Sequence, residues 1–225
     1  MERREKFVSG EYYHVFNRSI EKFKIFDSPR DFQRMVYLIR YYQLKGNKES
    51  FSCFSRFKEV RNSGLDRRLV SLKKEMLKCV EILSYCIMPT HIHLVIKQID
   101  EGGISLFMRN ILNGYAQYFN KKYNRNGPLW TGRFKAEHVE TDEQLVHLTR
   151  YVHLNPTTAG LVKNPEDWRY SSYFEYIGIC EEDKSVCDWH DVIDIEKSWY
   201  KSFVEKHKVY QKELAVIKRE ISTGC

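Results

Sequence analysis

Met88-Pro89-Thr90-His91-Ile92-His93-Leu94-Val95-Ile96 is the stretch on which the fold and the chemistry of this chain depend. Successive side chains of a β-strand point to opposite faces of the sheet, so His91 and His93 project to one face and the apolar residues between them to the other. One face of the strand is polar and the other suits a core. Two imidazoles side by side can bind a metal ion. From these residues alone, however, a half-exposed strand without a ligand is a slightly better interpretation of the pair.

The length and composition indicate an ordinary globular protein. The chain has 225 residues, of which 42% are hydrophobic and 14% aromatic. This length favours one domain with appendages over two full domains. The chain begins with Met-Glu-Arg-Arg-Glu-Lys, which does not resemble a signal peptide, and no apolar run reaches membrane-spanning length. We therefore expect a cytoplasmic location and no membrane partner.

The six cysteines are scattered along the chain without a CxxC pair. This spacing, together with the expected location, favours reduced thiols over a disulfide framework. A structural zinc site that uses Cys79 and Cys86 is a weakly indicated alternative.

The formal charge of +7 is unevenly distributed, because residues 102–136 contain no Asp or Glu. Cations neutralise phosphates and exposed rings stack on unpaired bases, so a basic and aromatic window predicts a surface for single-stranded nucleic acid. A helix with an aromatic core face and solvated lysines fits the same composition, and the two interpretations are compatible. The candidate DNA contacts in this window and at its edge are Arg109, Lys121, Lys122, Arg125, Trp130, Arg133 and Lys135.

Hydrophobic periodicity divides the chain into alternating strands and helices. The pattern predicts strands over residues 11–20, 80–88, 91–98 and 133–140, and helices over 32–44 and 104–123. A third helix should begin at Asp142 and stop at Pro156, since proline disfavours helical continuation. Residues 45–78 are basic and mixed, with a helical tail over 65–76, and indicate an insertion. We expect a solvated excursion there in preference to another DNA contact.

The order strand, helix, strand, strand, helix, strand is typical of an α+β, ferredoxin-like split βαβ sandwich with an antiparallel sheet. Both crossover helices then cover one face of the sheet. Ile92, Leu94 and Ile96 should face these helices. His91 and His93 should point to the other, open face, which the third helix can approach.

That third helix carries Tyr151 and Asn155, which are four residues apart and therefore on one side of it. Leu148 and Val152 form its packing side. A tyrosine beside an amide that could complete a His-His-Asn metal site offers a nucleophile and its activator together. A tyrosine near a helix end and an asparagine before a proline are nevertheless common structural features, so this helix alone proves little.

Five blocks in succession carry a resemblance to a known family. They are residues 12–18 (YYHVFNR), 88–94 (MPTHIHL), 129–135 (LWTGRFK), 151–162 (YVHLNPTTAGLV) and 168–173 (WRYSSY). Their order resembles the single-tyrosine HUH, or IS200-like, transposases, and most closely the REP-associated tyrosine transposases. Two departures are visible: Thr90 stands where the family usually has Asn, and the basic segment 45–78 is longer than expected.

The resemblance implies a transposase that cuts single-stranded or hairpin DNA and rejoins it through a 5′-phosphotyrosine intermediate. It assigns Tyr151 as the nucleophile and His91, His93 and Asn155 as ligands of a divalent metal, Mg²⁺ or Mn²⁺. It also implies a catalytic domain over residues 1–178, interrupted by the insertion, and leaves residues 179–225 as a charged, partly helical extension. The protein should be a monomer or a homodimer, and in related dimers the tyrosine helix can be exchanged between subunits.

Two other functions remain open at this point. One is a non-catalytic module that binds single-stranded nucleic acid on the same sheet. The other is a metal-dependent phosphodiesterase or zinc protein in which Tyr151 only packs. Residues with lesser candidate roles are His153 as a structural group, His138 and His147 beside the site, Glu137 and Glu140 as alternative metal ligands, and Lys121 or Lys122 as a cation that favours the phenolate.

Overall fold

The computed structural model of the protein describes residues 6–190, 192, 193 and 195–223. The strands in these residues are β1 (Tyr12–Arg18), β2 (Val80–Met88), β3 (His91–Gln98) and β4 (Lys135–Val139). The α-helices are α1 (Pro29–Tyr42), α2 (Phe51–Phe54), α3 (Lys58–Ser63), α4 (Leu65–Glu75), α5 (Gly103–Lys122), α6 (Asp142–Thr158), α7 (Tyr173–Tyr176) and α8 (Lys197–Thr223). Short 3₁₀ turns lie at Ile20–Lys22, Pro165–Asp167 and Glu182–Lys184.

The four strands form one sheet in the order β2-β3-β1-β4, and every neighbouring pair is antiparallel. With α1 between β1 and β2 and α5 between β3 and β4, this is the topology of a split βαβ fold. The predicted α+β class is confirmed. The histidine strand β3 is one of the two central strands, and its His93 lies opposite Phe16 of β1 and Cys86 of β2.

The two faces of β3 are buried in different layers. Ile92, Leu94 and Ile96 pack into the main core, which includes Leu38 of α1 and Ile111 of α5. The neighbouring residue Val95 instead belongs to a second cluster with Leu145 and Val152 of α6. Because side chains alternate along a strand, His91 and His93 lie on the same face as Val95. The alternation predicted from the sequence is therefore confirmed, and α6 packs on the histidine face.

Helix α6 runs past Pro156 to Thr158, so the prediction that Pro156 stops the helix is wrong. A proline has no N–H to donate to the carbonyl four residues earlier, which here belongs to Val152. The side-chain amide of Asn155 donates to that carbonyl at 3.4 Å, and to the carbonyl of Tyr151 at 3.0 Å. These bonds offset the loss at Pro156, and the helix can complete its last turn.

The segment 45–78 is not the solvated excursion that its charge indicated. It forms α2, α3 and α4, and their apolar residues enter the main core; these are Phe51, Phe54, Val60, Leu69 and Leu72. The basic composition of the segment gave no indication of these core residues, because each helix is short and contributes only one or two of them. Full burial of one such side chain stabilises the fold by about 1.5–3 kcal/mol.

The C-terminal part packs on the same core. Tyr200 and Val204 of α8 are fully buried, and the ring of Trp189 stacks on Tyr176 with centroids 4.4 Å apart. Tyr200 also contacts His153 of α6 through its hydroxyl, at 2.7 Å from Nδ1. The first half of the segment expected as an extension is therefore integrated with the sheet and α6.

The five described cysteines carry free thiols, as expected. Cys79 donates to the carbonyl of Gln43, whereas Cys86 contacts Met88 in the second cluster. The two thiols do not converge, so the alternative of a zinc site at Cys79 and Cys86 is wrong. Among the described helices, none combines the length and the apolar character that a bilayer crossing needs.

Candidate active site

The two histidines of β3 present their rings to the α6 face, with ring centroids 5.0 Å apart and planes at 82°. Each ring is held through its Nδ1 atom. Nδ1 of His91 lies 2.9 Å from Oγ1 of Thr90, and Nδ1 of His93 lies 3.0 Å from Nε2 of His14. Within the described residues, the Nε2 atoms of both His91 and His93 have no hydrogen bond, so both are available to a ligand.

Both rings are uncharged at neutral pH. Burial lowers the pKa of His91 to about 4, and the charge of Arg18 contributes. Burial likewise holds the pKa of His93 well below its ordinary value, with His91, His14 and Arg18 adding to the effect. A neutral imidazole carries one N–H and one lone pair, so each ring can donate from Nδ1 and offer the lone pair of Nε2.

His14 is a residue of this site that sequence reasoning missed, and Glu137, expected as an alternative metal ligand, lies beside it. His14 is only 6% exposed, and its Nδ1 lies 3.7 Å from Oε2 of Glu137 on β4. Burial lowers the pKa of His14, and this outweighs the opposing effect of Glu137. When Nδ1 of His93 donates to His14, the second nitrogen of His14 carries the proton and faces the carboxylate. Glu137, His14 and His93 thus form a row across three strands.

Tyr151 reaches this row from α6. Its ring centroid lies 6.0 Å from that of His93 and 6.1 Å from that of His14, edge-on to both. The neighbouring residue Val152 is fully buried and fixes the helix on the sheet. Tyr151 itself is 40% exposed, and its phenol makes no hydrogen bond within the described part of the chain. Burial, and secondarily Glu137, raise the pKa of Tyr151, so the phenol is protonated at neutral pH.

Asn155 lies one turn after Tyr151, as expected, but its side chain has a structural role. Its amide nitrogen caps the carbonyls of Tyr151 and Val152, as described for Pro156 above. Its Oδ1 accepts no hydrogen bond within the described residues. The structure brings His91, His93 and Tyr151 together, and Asn155 contributes one unengaged oxygen on the same helix.

The residues present fit a divalent metal in part. Two neutral imidazoles with unengaged Nε2 atoms are a suitable donor pair for Mn²⁺, which imidazole suits better than Mg²⁺. In the described residues, however, no group of three or more His, Cys, Asp or Glu side chains is placed to bind a metal ion. The His pair therefore needs an oxygen donor outside these residue types, and the amide oxygen of Asn155 is of the right chemistry.

Three further histidines contact other residues, away from the pair on β3. His153 is buried, with Nδ1 at 2.7 Å from the hydroxyl of Tyr200 and Nε2 at 2.8 Å from that of Ser172, in accord with the structural role expected for it. His138 pairs with Glu11 at 2.9 Å, and His147 lies 3.2 Å from Arg150. Neither of these last two histidines contacts the pair on β3.

The candidate DNA contacts fall into separate groups. Arg109, Trp130 and Arg133 line a cavity of about 540 Å³ between α5 and the segment before β4. Trp130 is half-buried there and its indole N–H donates to the carbonyl of Leu112 at 3.0 Å. Lys135 is exposed at the start of β4. These four residues are therefore placed around the edge of α5 and β4.

The other three candidates lie at the far end of α5. Lys122 pairs with Asp31 of α1 at 2.7 Å, and Arg125 donates to the carbonyl of Pro128 within its own loop. Lys121 is exposed beside Lys122. Since α1 and α5 cover the sheet face opposite Tyr151, the expectation that Lys121 or Lys122 favours its phenolate is wrong.

Most aromatic residues of the basic window are core residues. Phe107, Tyr115 and Phe119 are buried in the main cluster, whereas Tyr123 is 43% exposed. The helical periodicity of α5 explains this distribution better than base stacking does.

Comparison with known proteins finds similarity to one family of transposases. Residues 51–155 match the family model described as "Transposase IS200 like". A curated relative of Haemophilus influenzae, named as a candidate REP-associated tyrosine transposase, is 31% identical over an alignment that covers 41% of this chain and 58% of the relative. The resemblance to IS200-like transposases, and to the REP-associated branch in particular, is confirmed.

A solved structure of a REP-associated tyrosine transposase bound to a REP hairpin is also similar. It matches with a TM-score of 0.53 and 16% identity, and the match covers 88% of this chain and 96% of that one. At this identity the likeness is one of fold. The chain spans somewhat more than half the length of the curated relative. The family match begins at Phe51, inside the segment 45–78 that the sequence indicated as an insertion.

Proposed function

We propose that this protein is a DNA transposase, a tyrosine-dependent endonuclease and strand transferase that acts on single-stranded or hairpin DNA. The observation that carries the proposal is the position of Tyr151, whose ring lies 6.0 Å from that of His93 within one chain. The similarity to REP-associated tyrosine transposases supports it. The hairpin in the similar solved structure supports a hairpin-bearing substrate.

The chain's own residues have distinct roles in this proposal. His91 and His93 would bind a divalent metal, Mg²⁺ or Mn²⁺, through their Nε2 atoms, and Asn155 would supply the third protein ligand through Oδ1. Thr90 and His14 hold the two rings through Nδ1 and so orient the lone pairs. When bound, the metal polarises a phosphate oxygen and stabilises charge that develops in the transition state.

Tyr151 is the nucleophile. Its Oη forms a bond to phosphorus while the bond from phosphorus to the 3′ oxygen breaks. The proton of the phenol passes to water and the departing 3′ oxygen takes a proton from water, which leaves a 3′-hydroxyl and a 5′-phosphotyrosine. The raised pKa of Tyr151 means that the phenol must lose its proton as it attacks. The ester bond is conserved in the protein–DNA link, so another 3′-hydroxyl can reverse the reaction without ATP. This exchange is strand transfer.

The test is covalent capture. Incubation of the protein with Mn²⁺ and a hairpin-bearing single strand, labelled 3′ of the cut, should give a DNA-linked protein that survives denaturation. Tyr151→Phe removes the attacking oxygen and should abolish the adduct while DNA binding persists. Tyr210→Phe is the matched control, because Tyr210 is exposed on α8 and should not change the yield.

An adduct that persists in Tyr151→Phe would contradict the assignment of the nucleophile. Binding without any adduct in the unmodified protein would favour the non-catalytic module. His91→Ala should lose the adduct and keep the fold, which a melting curve checks.

A further inference from the structure

A second basic site lies on the helical layer, opposite the histidine face. A cleft of about 460 Å³ opens between α1, α2 and α5. We refer to it as the helical cleft; its main lining residues are Arg34, Ser52, Arg56, Tyr118, Lys121 and Lys122. Among the described residues, no Asp or Glu lines it. It includes residues of the basic segment 45–78.

Arg34 is held rigidly at the floor of the cleft. Its guanidinium carbon lies 4.5 Å from the ring centroid of Phe51 and 5.2 Å from that of Tyr118, so it is sandwiched between two aromatic faces. One terminal nitrogen donates to Oγ of Ser52 at 2.6 Å. Its Nε is buried and has no hydrogen-bond partner among the residues that the structure describes. A buried charged donor without an acceptor is costly unless a ligand supplies one.

Two of the cations around Arg34, Arg56 and Lys121, have no acidic partner within the described residues, in contrast to other cations nearby. On the other side of the segment 45–78, Lys73 and Lys78 both pair with Asp188, and Arg68 pairs with Glu75. In the helical cleft, Arg56 and Lys121 are exposed, and their side chains make no ion pair or hydrogen bond within the described residues.

Only Lys122 is compensated, by Asp31. The charge of Arg56 also contributes, after burial, to lowering the pKa of Arg34. Excess positive charge held in a concave site favours an anionic ligand.

We propose that the helical cleft binds backbone phosphates of the DNA. A planar guanidinium held between two rings presents its donors in a fixed direction, which suits a phosphate, and flexible cations beside it add charge. The inference rests on the proposed function, since it takes DNA as the ligand. The cleft lies across the sheet from Tyr151, so the phosphates it binds belong to DNA outside the segment that is cut. The helical cleft increases the affinity for DNA, whereas cleavage takes place at Tyr151 on the opposite face of the sheet.

The test is a binding measurement in the Tyr151→Phe background, where no cleavage occurs. Fluorescence anisotropy gives the affinity for a hairpin stem and for a single strand at salt concentrations between about 50 mM and about 200 mM. The double variant Arg56→Gln/Lys121→Gln should bind at least one of these DNAs about tenfold more weakly at low salt. The negative slope of log K against log salt should become shallower by about 1.8 for the duplex stem or by about 1.4 for the single strand, as expected for two lost phosphate contacts.

Two variants control for charge and for folding. Lys163→Gln/Lys206→Gln removes the same charge from exposed positions outside the cleft and should leave the slope within about 0.5 of the parent. Arg56→Lys/Lys121→Arg keeps the charge and should retain the affinity. Equal affinities and slopes for the cleft variant and the lysine control, with both DNAs, would overturn the inference. That result would leave adduct formation at Tyr151 untouched, so the two proposals fail separately.

Discussion

At the scale of single residues, the placement of His14 has the clearest consequence for the site. It accepts from Nδ1 of His93, and its other nitrogen faces Glu137. A ligand histidine whose second nitrogen is fixed keeps one tautomer and one ring orientation. In the proposed site, His14 is therefore a positioning residue that acts through His93.

We predict that His14→Ala weakens Mn²⁺ binding about 10- to 100-fold, because Nδ1 of His93 loses its partner. Titration calorimetry on the protein without DNA measures this directly. His14→Gln offers an amide oxygen near the same place and should recover part of the affinity. Unchanged Mn²⁺ affinity in His14→Ala would show that His14 only fills space.

The sequence of β1 carries a partial signal for the position of His14. Alternation along β1 places Tyr12, His14 and Phe16 on one face. Only the register of β1 against β3, with Phe16 opposite His93, brings that face beside the histidine pair. Register depends on pairing across the sheet, which one strand's pattern does not specify.

At the scale of elements, α2, α3 and α4 show how a charged segment can belong to the core. Phe51 is 2% exposed and packs against Tyr41 with ring centroids 5.5 Å apart. Phe57, six residues later, is 41% exposed. The two phenylalanines are in the same segment and differ mainly in burial.

Phe51→Ala should therefore lower the free energy of unfolding by about 3–5 kcal/mol, which is typical of a phenylalanine removed from a core. Phe57→Ala is its control and should cost less than about 1 kcal/mol. Urea unfolding followed by circular dichroism measures both. Similar losses for the two variants would mean that α2 is not anchored as described.

The elements that the sequence predicted well are those with long, regular periodicity. The bounds of β2 and α5 agree with the expected ones to within one residue, because both carry continuous hydrophobic patterns. The predicted end of α6 was wrong because the side chain of Asn155 donates to the carbonyl of Val152, to which Pro156 has no N–H to donate. Hydrophobic periodicity does not reveal such a side-chain bond. The burial of α2–α4 was missed because an apolar residue in a short helix has no period to reveal it.

At the scale of the whole molecule, α8 joins the C-terminal part to the sheet through α6. The hydroxyl of Tyr200 donates to Oγ1 of Thr149 at 3.0 Å and accepts from Nδ1 of His153 at 2.7 Å. All three groups are buried. Sequence resemblance did not extend to this contact, because it ended near residue 178.

Removal of that hydroxyl should destabilise the protein. Tyr200→Phe leaves the buried N–H of His153 without an acceptor, which costs about 1–3 kcal/mol. The melting temperature should fall by about 2–4 °C for each kcal/mol in a chain of this size. Tyr210→Phe changes an exposed residue of the same helix and should have almost no effect. Equal melting curves for the two variants would exclude a structural role for the hydroxyl.

The carbonyl of Tyr151 receives two side-chain donors, one from Asn155 and one from Gln211 of α8, at 3.0 and 3.3 Å. The backbone of Tyr151, the proposed nucleophile, is thus hydrogen-bonded to a residue of α8 sixty positions further along the chain. If two subunits exchanged the helix that carries Tyr151 by domain swapping, α8 would have to move with it. The exchanged segment would then begin after β4, with Glu140 and Thr141 as the hinge. An engineered disulfide between α6 and α8 would then keep these two helices together in each subunit.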